Sequence, residues 1–194
     1  MKGRPHHRRL LILVKHAEPV VEPDVPPNRW ELSERGKDRC VALAERLRRY
    51  RPAAVVASEE RKAVQTAGLV AERLGMAAAT FPGLHEHDRT GAPFGTQAEF
   101  ELAAKGFFEN PGEPVWGRET AEVARERFAD AVDAVLARHP AGTVVVVAHG
   151  TVITLFLSRF ADLDAFGFWR RLGLPSFCVV ELPGYELHEA VTDM

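Results

Sequence analysis

The sequence predicts an α/β fold with a mostly parallel sheet, and three observations favour it. Residues 10–14 form an unbroken apolar run that ends abruptly at Lys15 and His16, and residues 144–148 repeat the pattern before His149. Short apolar runs bounded by polar residues are typical of strands buried on both faces of a parallel sheet. Segments with helical spacing of apolar residues lie between such runs. An apolar run followed by Pro183-Gly184 predicts a terminal β-hairpin, which adds an antiparallel element.

The other elements alternate along the chain. Ser33, Ser58 and Thr96 stand where a helix N-cap is expected, and Thr96 with Glu99 forms a capping box. After the first strand we predict a proline-containing loop (19–30), a helix ending near residue 50, a strand (53–57) and a helix ending near 74. A weaker strand (77–81), a polar loop (82–95), a helix from 97, a loop (110–118) and a long helix (119–138) follow. The strand before His149, helices over 152–159 and 162–171, and the hairpin of 177–182 with 185–191 complete the chain.

Composition describes an ordinary globular protein. The 194 residues are 46% apolar and 27% charged, with a net charge of −2. This length favours one domain over residues 1–194, with residues 1–9 as a flexible basic N-terminus, although two small domains are possible. The charge balance gives no reason to expect a nucleic-acid partner. No segment reads as a signal peptide or membrane span, and Cys40 and Cys178 suit neither a disulfide framework nor a cysteine metal site. We therefore expect a cytoplasmic protein.

Two histidines stand at the ends of the two strongest predicted strands. Open α/β sheets bind ligands at the carboxyl ends of their strands, so we expect His16 and His149 to meet at one ligand edge. A surface or structural role is the ordinary alternative for either histidine, and their shared position weakens that alternative. We interpret the pair as two imidazoles over a phosphate, with a neutral ring nitrogen of His16 attacking phosphorus.

Several cations lie near the same predicted edge. Phosphoryl transfer depends on positioning and on fixed positive charge, which Lys15, Lys62 and Arg61 can supply. The last two begin a predicted helix, where exposed N–H groups favour an anion. The alternative is that they are solvated charges paired with Glu59 or Glu60.

The polar loop is dense in titratable groups. Glu86 is our candidate for the general acid that protonates the leaving oxygen and then, as a carboxylate, activates water. A different hypothesis is a metal-dependent hydrolase that uses His85, His87 and Asp88, although this composition is common in polar loops.

Five segments then resemble the signatures of the histidine phosphatase superfamily, the phosphoglycerate-mutase-like proteins. They are Lys15-His16-Ala17 for Arg-His-Gly, residues 58–67 for Ser-x-x-x-Arg-Ala-x-x-Thr-Ala, Leu84-His85-Glu86 for the segment with the acid, Gly117-Arg118-Glu119-Thr120 for Gly-x-Glu-Ser, and residues 147–150 for the last signature. They occur in the family's order and cover most of the chain.

This resemblance implies a three-layer α/β sandwich around a mixed, mainly parallel sheet. It implies that His16 is the nucleophile and forms a phosphohistidine, that His149 contacts the phosphate, and that Glu86 is the proton donor. It implies no metal and no organic cofactor. Lys15 and Lys62 replace both family arginines, and lysine keeps the charge but loses the two-pronged grip on phosphate. Ala17 replaces the glycine and adds a methyl group where the backbone approaches the phosphate.

The expected reaction is hydrolysis of a small phosphomonoester. No long insertion that would close the pocket is apparent, which favours hydrolysis over mutase-type phosphoryl transfer. A catalytically weak phosphate-binding or regulatory protein is a further alternative, motivated by the two lysines. Arg29, Arg89 and Arg118 are candidates for reading a second anionic group, with solvated surface roles as their alternative. The sequence leaves the oligomeric state open.

Overall fold

A six-stranded mixed sheet lies at the centre of the computed structural model, which describes residues 8–194. Its strands are β1 (Leu10–Lys15), β2 (Pro52–Ala57), β3 (Ala78–Thr80), β4 (Thr143–Ala148), β5 (Ser176–Glu181) and β6 (Glu186–Val191). They are arranged in the order β3-β2-β4-β1-β5-β6. The pairings among β3, β2, β4 and β1 are parallel, and β5 and β6 join as antiparallel strands. The predicted mixed, mainly parallel sheet is confirmed.

Helices cover both faces of this sheet, as predicted. They are α1 (Glu34–Arg48), α2 (Arg61–Leu74), α3 (Gln97–Glu109), α4 (Ala121–Arg138), α5 (Gly150–Leu157) and α6 (Ala165–Arg171), with a 3-10 turn at Pro27–Arg29. The first two helices share one hydrophobic cluster with the sheet, and the other four share a second cluster on the opposite face. The result is the expected three-layer α/β sandwich.

The alternation of side chains along β1 shows why both faces are buried. Leu11 and Leu13 belong to the cluster under α3 to α6, whereas Ile12 and Val14 belong to the cluster under α1 and α2. All four side chains are fully buried. Successive strand residues point to opposite faces, and each such buried side chain contributes about 1.5–3 kcal/mol. The continuous apolar run is therefore the direct cause of the three-layer arrangement.

The two central strands end in a position suited to a ligand. β1 and β4 are parallel neighbours, with Lys15 aligned with Ala148. The chain then leaves β1 towards α1 on one face and leaves β4 towards α5 on the other face. Ligands in open α/β sheets bind at such a point, where the connections of adjacent strands separate.

At the ligand edge of the sheet, two helix starts differ from the prediction. Ser58 is not the N-cap of α2, because that helix begins at Arg61 and its N-cap, Glu60, makes no side-chain capping bond. Helix α5 begins at Gly150, two residues earlier than the predicted Val152, so its first turn directly follows His149. Both differences concern the sheet edge at which the site is expected.

The predicted flexible N-terminus falls partly outside the described residues, which exclude residues 1–7. Arg8 and Arg9, however, are held by specific contacts. Arg8 forms an ion pair with Glu181 at 2.9 Å. The Arg9 guanidinium donates to the carbonyl oxygens of Leu136 at 2.7 Å and His139 at 2.6 Å. In residues 8–194, no helix combines the length and apolar character needed to cross a membrane.

Candidate active site

His16 and His149 meet at the carboxyl edge of the sheet, as predicted. Their ring centroids are 5.2 Å apart, with the ring planes inclined at 61°. Both residues are buried, with 7% and 1% of their surface exposed. The backbone N–H of His16 donates to the carbonyl of Ala148 at 3.0 Å, which continues the strand pairing up to the first histidine. The register of β1 and β4 therefore places the two imidazoles together.

The tautomer of His16 follows from one hydrogen bond. Its Nδ1 lies 2.8 Å from the carbonyl oxygen of Ala17. A carbonyl only accepts, so Nδ1 carries the proton and Nε2 keeps its lone pair. Burial, followed by the charges of His149 and Lys62, holds the pKa of His16 well below its ordinary value. His16 is thus a neutral imidazole with one free lone pair, which is the form that a nucleophile requires.

His149 is held from one side only. Its Nε2 lies 2.9 Å from the hydroxyl oxygen of Ser58, the residue expected to cap α2. Its Nδ1 is buried and has no hydrogen-bond partner among residues 8–194. Burial lowers the pKa of His149 to about 4, against the opposing charges of Glu60 and Glu86. A buried ring nitrogen without a protein partner is suited to contact a bound group.

Lys15 lies at the end of β1, beside the first turn of α5. Its Nζ donates to the carbonyl oxygen of Leu172 at 2.7 Å and lies 3.5 Å from the position that a Cβ on Gly150 would take. Burial lowers the pKa of Lys15 to about 8, although the charge of Glu86 acts in the opposite direction. The charge of Lys15 contributes to the low pKa of His16, so this cation belongs to the site.

Lys62 reaches the site, whereas Arg61 does not join it. The Lys62 side chain is only 5% exposed, and its Nζ donates to the carbonyl oxygen of Pro27 at 2.8 Å and to Glu60 at 2.5 Å. Lys62 does pair with Glu60, as the alternative interpretation of these cations expected, but the pair is buried rather than solvated. The Arg61 side chain is 60% exposed and pairs with Glu31 at 2.7 Å. The structure thus places one of the two candidate cations of α2 in the site.

Glu86 lies against the first turn of α5. Its carboxylate accepts the backbone N–H groups of His87 at 3.0 Å, Thr151 at 3.2 Å and Val152 at 3.3 Å. Burial alone would raise the pKa of Glu86, but its contact with His87 and the neighbouring His149 and Arg89 hold it well below its ordinary value. The three backbone N–H donors likewise stabilise Glu86 in its carboxylate form.

Sequence reasoning missed the role of Glu60, which it considered only as a partner for a solvated cation. One carboxylate oxygen accepts the backbone N–H of Glu86 at 2.8 Å and lies 3.5 Å from Nε2 of His149. The other oxygen is bound to Lys62. The signal in the sequence was weak: Glu60 stands three residues after the predicted strand 53–57, hence near the same sheet edge.

A second missed residue is Arg127 of α4, which anchors the loop carrying Glu86. Its guanidinium donates to both carboxylate oxygens of Glu119 at 2.8 Å. It also donates to the carbonyl oxygens of Gly83 at 2.7 Å, His85 at 2.9 Å and Glu86 at 3.2 Å. The Glu119 carboxylate thus orients the arginine that holds the loop of Glu86.

The other sequence candidates are distributed unevenly. Arg89 lies near the site, since its charge affects Glu86 and His149, and its guanidinium lies over the rings of Phe100 and Trp116 at 5.4 and 5.1 Å. Arg29 and Arg118 are exposed. Ala17, whose methyl group was expected beside the phosphate, is instead fully buried and belongs to the apolar cluster under α1 and α2.

The three side chains considered as metal ligands do not form a metal-binding group. His87 is buried with its ring 4.4 Å from the ring of Phe107 and 4.5 Å from that of Trp116. Within the described part of the chain, no group of three histidine, cysteine or acidic side chains gathers in a way that could hold a metal ion. His85, His87 and Asp88 therefore do not form the metal site that their spacing suggested.

The family model described as histidine phosphatase superfamily (branch 1) matches residues 11–192. No curated protein matches the chain.

Similar solved structures include three with nearly complete overlap. Mycobacterial glucosyl-3-phosphoglycerate phosphatase in complex with VO3 is 23% identical, with a TM-score of 0.74 over 96% of this chain and 100% of that chain. YhfR of Bacillus stearothermophilus is 23% identical, with a TM-score of 0.74 over 94% and 96%. A phosphoserine phosphatase mutant from Entamoeba histolytica, bound to phosphoserine, is 16% identical, with a TM-score of 0.77 over 95% and 97%. At these identities the likeness shows a shared fold.

Proposed function

Since the chain belongs to the histidine phosphatase superfamily, we propose that it hydrolyses small phosphomonoesters through a phosphohistidine formed on His16. The observation that carries this proposal is the state of His16. Its imidazole is neutral, its Nδ1–H donates to the Ala17 carbonyl, and its Nε2 is free. The centroid of its ring lies 5.2 Å from that of His149. A nucleophilic imidazole requires one unprotonated ring nitrogen, and the hydrogen bond to the Ala17 carbonyl leaves Nε2 in that form.

In the proposed first step, Nε2 of His16 attacks phosphorus and the bond from phosphorus to the ester oxygen breaks. The leaving oxygen takes a proton from Glu86. Glu86 is ionised before substrate binds, but a phosphate dianion beside it disfavours the carboxylate, as any nearby like charge does. We therefore propose that the substrate and one proton bind together. Lys15, Lys62 and Nδ1 of His149 would contact the phosphoryl oxygens, where fixed positive charge and hydrogen-bond donors lower the barrier.

In the proposed second step, Glu86 acts as a base. The carboxylate removes a proton from water, the water oxygen attacks phosphorus, and the bond from phosphorus to Nε2 breaks. Inorganic phosphate leaves and His16 returns to its neutral state. Acid–base help of this kind contributes about 10²–10⁴-fold to rate.

The proposed substrate is a small phosphorylated molecule. Two of the similar structures are phosphatases of this class, for glucosyl-3-phosphoglycerate and for phosphoserine. Arg89 is the candidate for contacting the non-reacting part of the substrate, because its charge is felt at Glu86 and His149.

Hydrolysis of an aryl phosphate and of a panel that includes phosphoserine tests the proposal. His16→Ala should abolish turnover, whereas His188→Ala, which removes a histidine bound to Glu181 at the surface, should leave it unchanged. Equal rates for the native chain and His16→Ala would overturn the proposal.

A phosphate-binding or regulatory role remains a second candidate, because Lys62 is already bound to Glu60 and to the Pro27 carbonyl. Absence of turnover across the panel, with retained binding of inorganic phosphate, would favour that role. Formation of a phosphorylated product rather than free phosphate would favour the mutase reaction.

A further inference from the structure

The candidate phosphate site already contains an anion, the carboxylate of Glu60. Its side chain is 11% exposed and bridges three elements. Oε2 lies 2.5 Å from Nζ of Lys62, at the start of α2. Oε1 accepts the backbone N–H of Glu86 at 2.8 Å and lies 3.5 Å from Nε2 of His149. The carboxylate thus contacts one cation, one backbone donor and one imidazole, which are the kinds of groups that bind phosphate.

This contact changes what Lys62 can offer to a ligand. An ammonium has three N–H groups, and Glu60 with the Pro27 carbonyl occupies two of them. The negative charge beside Nζ also cancels much of the field that Lys62 would exert on a phosphoryl group. A dianion that approaches Lys62 therefore meets a carboxylate at close range.

We propose that Glu60 is a built-in competitor of the phosphoryl group and determines which anions the site accepts. For an anion to bind Lys62 fully, the Glu60 carboxylate must leave the ammonium or take up a proton. The site then favours anions of low charge, and it binds a given dianion more tightly as pH falls. This inference rests on the proposed function, since it concerns the same phosphate site.

Titratable or charged groups on every neighbouring element lie near Glu60. Lys62 faces it from α2, His149 from the end of β4, and Glu86 and His85 from the loop 82–95, while Glu59 precedes it in the chain. Burial alone would raise the pKa of Glu60, but the neighbouring His149, the charge of Lys62 and the hydrogen bonds from Lys62 and the Glu86 backbone hold it below its ordinary value. The carboxylate is thus ionised at neutral pH until a second anion arrives.

Sulfate is a suitable probe, because it remains a dianion throughout the relevant pH range. We would measure its affinity for the full-length native chain, Glu60→Gln and Glu59→Gln by isothermal titration calorimetry. Glu60→Gln removes the charge and keeps the shape, so it should tighten sulfate binding at pH 7.5 by ~10-fold or more. Glu59→Gln changes an exposed neighbour of the same type and should stay within about twofold of the native chain.

The pH dependence gives a second readout. The native chain should bind sulfate more tightly at pH 5.5 than at pH 7.5, and Glu60→Gln should lose part of that difference. If Glu60→Gln does not fold by circular dichroism, Glu60→Ala takes its place with the same expected gain. Sulfate binding that is unchanged or weaker in the folded variant would overturn the inference.

Turnover of an aryl phosphate, measured in parallel, separates the two proposals. Turnover that depends on His16, combined with no gain in sulfate affinity for Glu60→Gln, overturns the role of Glu60 and leaves the phosphatase intact. No turnover and no sulfate binding in any variant overturns both.

Discussion

Replacement of Arg127 by alanine should destabilise the protein far more than replacement of an ordinary helix arginine. The Arg127 side chain is 19% exposed, and it is bound to both oxygens of a carboxylate, Glu119, that is 11% exposed. Removing one partner of a buried ion pair costs about 3–5 kcal/mol, because the remaining charge is left without compensation. Three backbone carbonyls of the loop, those of Gly83, His85 and Glu86, also lose a donor.

Thermal unfolding followed by circular dichroism measures this cost. For a chain of this size, about 3–5 kcal/mol corresponds to a fall in Tm of about 6–20 °C. Arg127→Lys should lie between the native chain and alanine, since an ammonium keeps the charge but cannot reproduce the planar fork. Because Arg127 holds the loop of Glu86, kcat/KM should also fall in Arg127→Ala.

Arg138→Ala is the matched control on the same helix. Arg138 is exposed, and its guanidinium lies over the ring of Phe81 at 4.7 Å. A single exposed contact of this kind contributes about 0.5–1 kcal/mol. Equal Tm values for Arg127→Ala and Arg138→Ala would refute the assignment of Arg127 as the anchor of the loop.

Three further predictions concern Lys15, the buried carboxylates and Gly117. The pKa of Lys15 is lowered to about 8, so kcat/KM should decline above that pH as the ammonium loses its charge. Lys15→Arg should move this alkaline decline to higher pH, and an unmoved decline would assign it to another group. The pKa values of Glu60, Glu86 and Glu119 lie below the ordinary 4.5, so the unfolded chain binds more protons in this range, and urea denaturation should show stability falling as pH drops below 4.5; constant stability down to pH 3 would contradict it. Gly117 has φ +101, and a Cβ there would lie 2.3 Å from the Asp88 carbonyl oxygen, so Gly117→Ala should lower the free energy of unfolding by about 1–3 kcal/mol. Gly106→Ala, in a helix with open space around the Cβ position, should raise it in the same urea assay.

The sheet and the meeting of the two histidines were predictable because strand burial leaves a strong local pattern. The apolar runs before His16 and His149 required strands buried on both faces, and parallel neighbours bring their carboxyl ends together. The β1 to β4 register, with Lys15 aligned with Ala148, confirms that inference.

The surroundings of Lys62 could not be predicted in the same way. Glu60 and Lys62 begin a helix, and charged residues there are normally solvated. Their burial depends on the Pro27 turn and the loop around Glu86, which approach from distant parts of the sequence. Irregular segments carry no periodicity from which such contacts can be inferred.

Arg127 was missed for a related reason. Its loop partners are backbone carbonyls, which every residue has, so no side-chain pattern marks the pairing. Ser58 was assigned to a helix cap because serine at that position fits the local rule. The structure instead uses its hydroxyl to hold His149, a contact across 91 positions of the chain.

The central claim is that His16 carries the phosphoryl group between the two steps, and direct capture of that intermediate tests it most sharply. The native chain and His16→Ala would be mixed rapidly with a phosphomonoester that the native chain hydrolyses. The mixture would be quenched in base, where phosphohistidine survives, and digested for mass spectrometry. We predict a phosphate on the peptide that contains His16 in the native chain and none in the variant. A phosphate on a different residue, or hydrolysis without any phosphorylated peptide, would contradict the account.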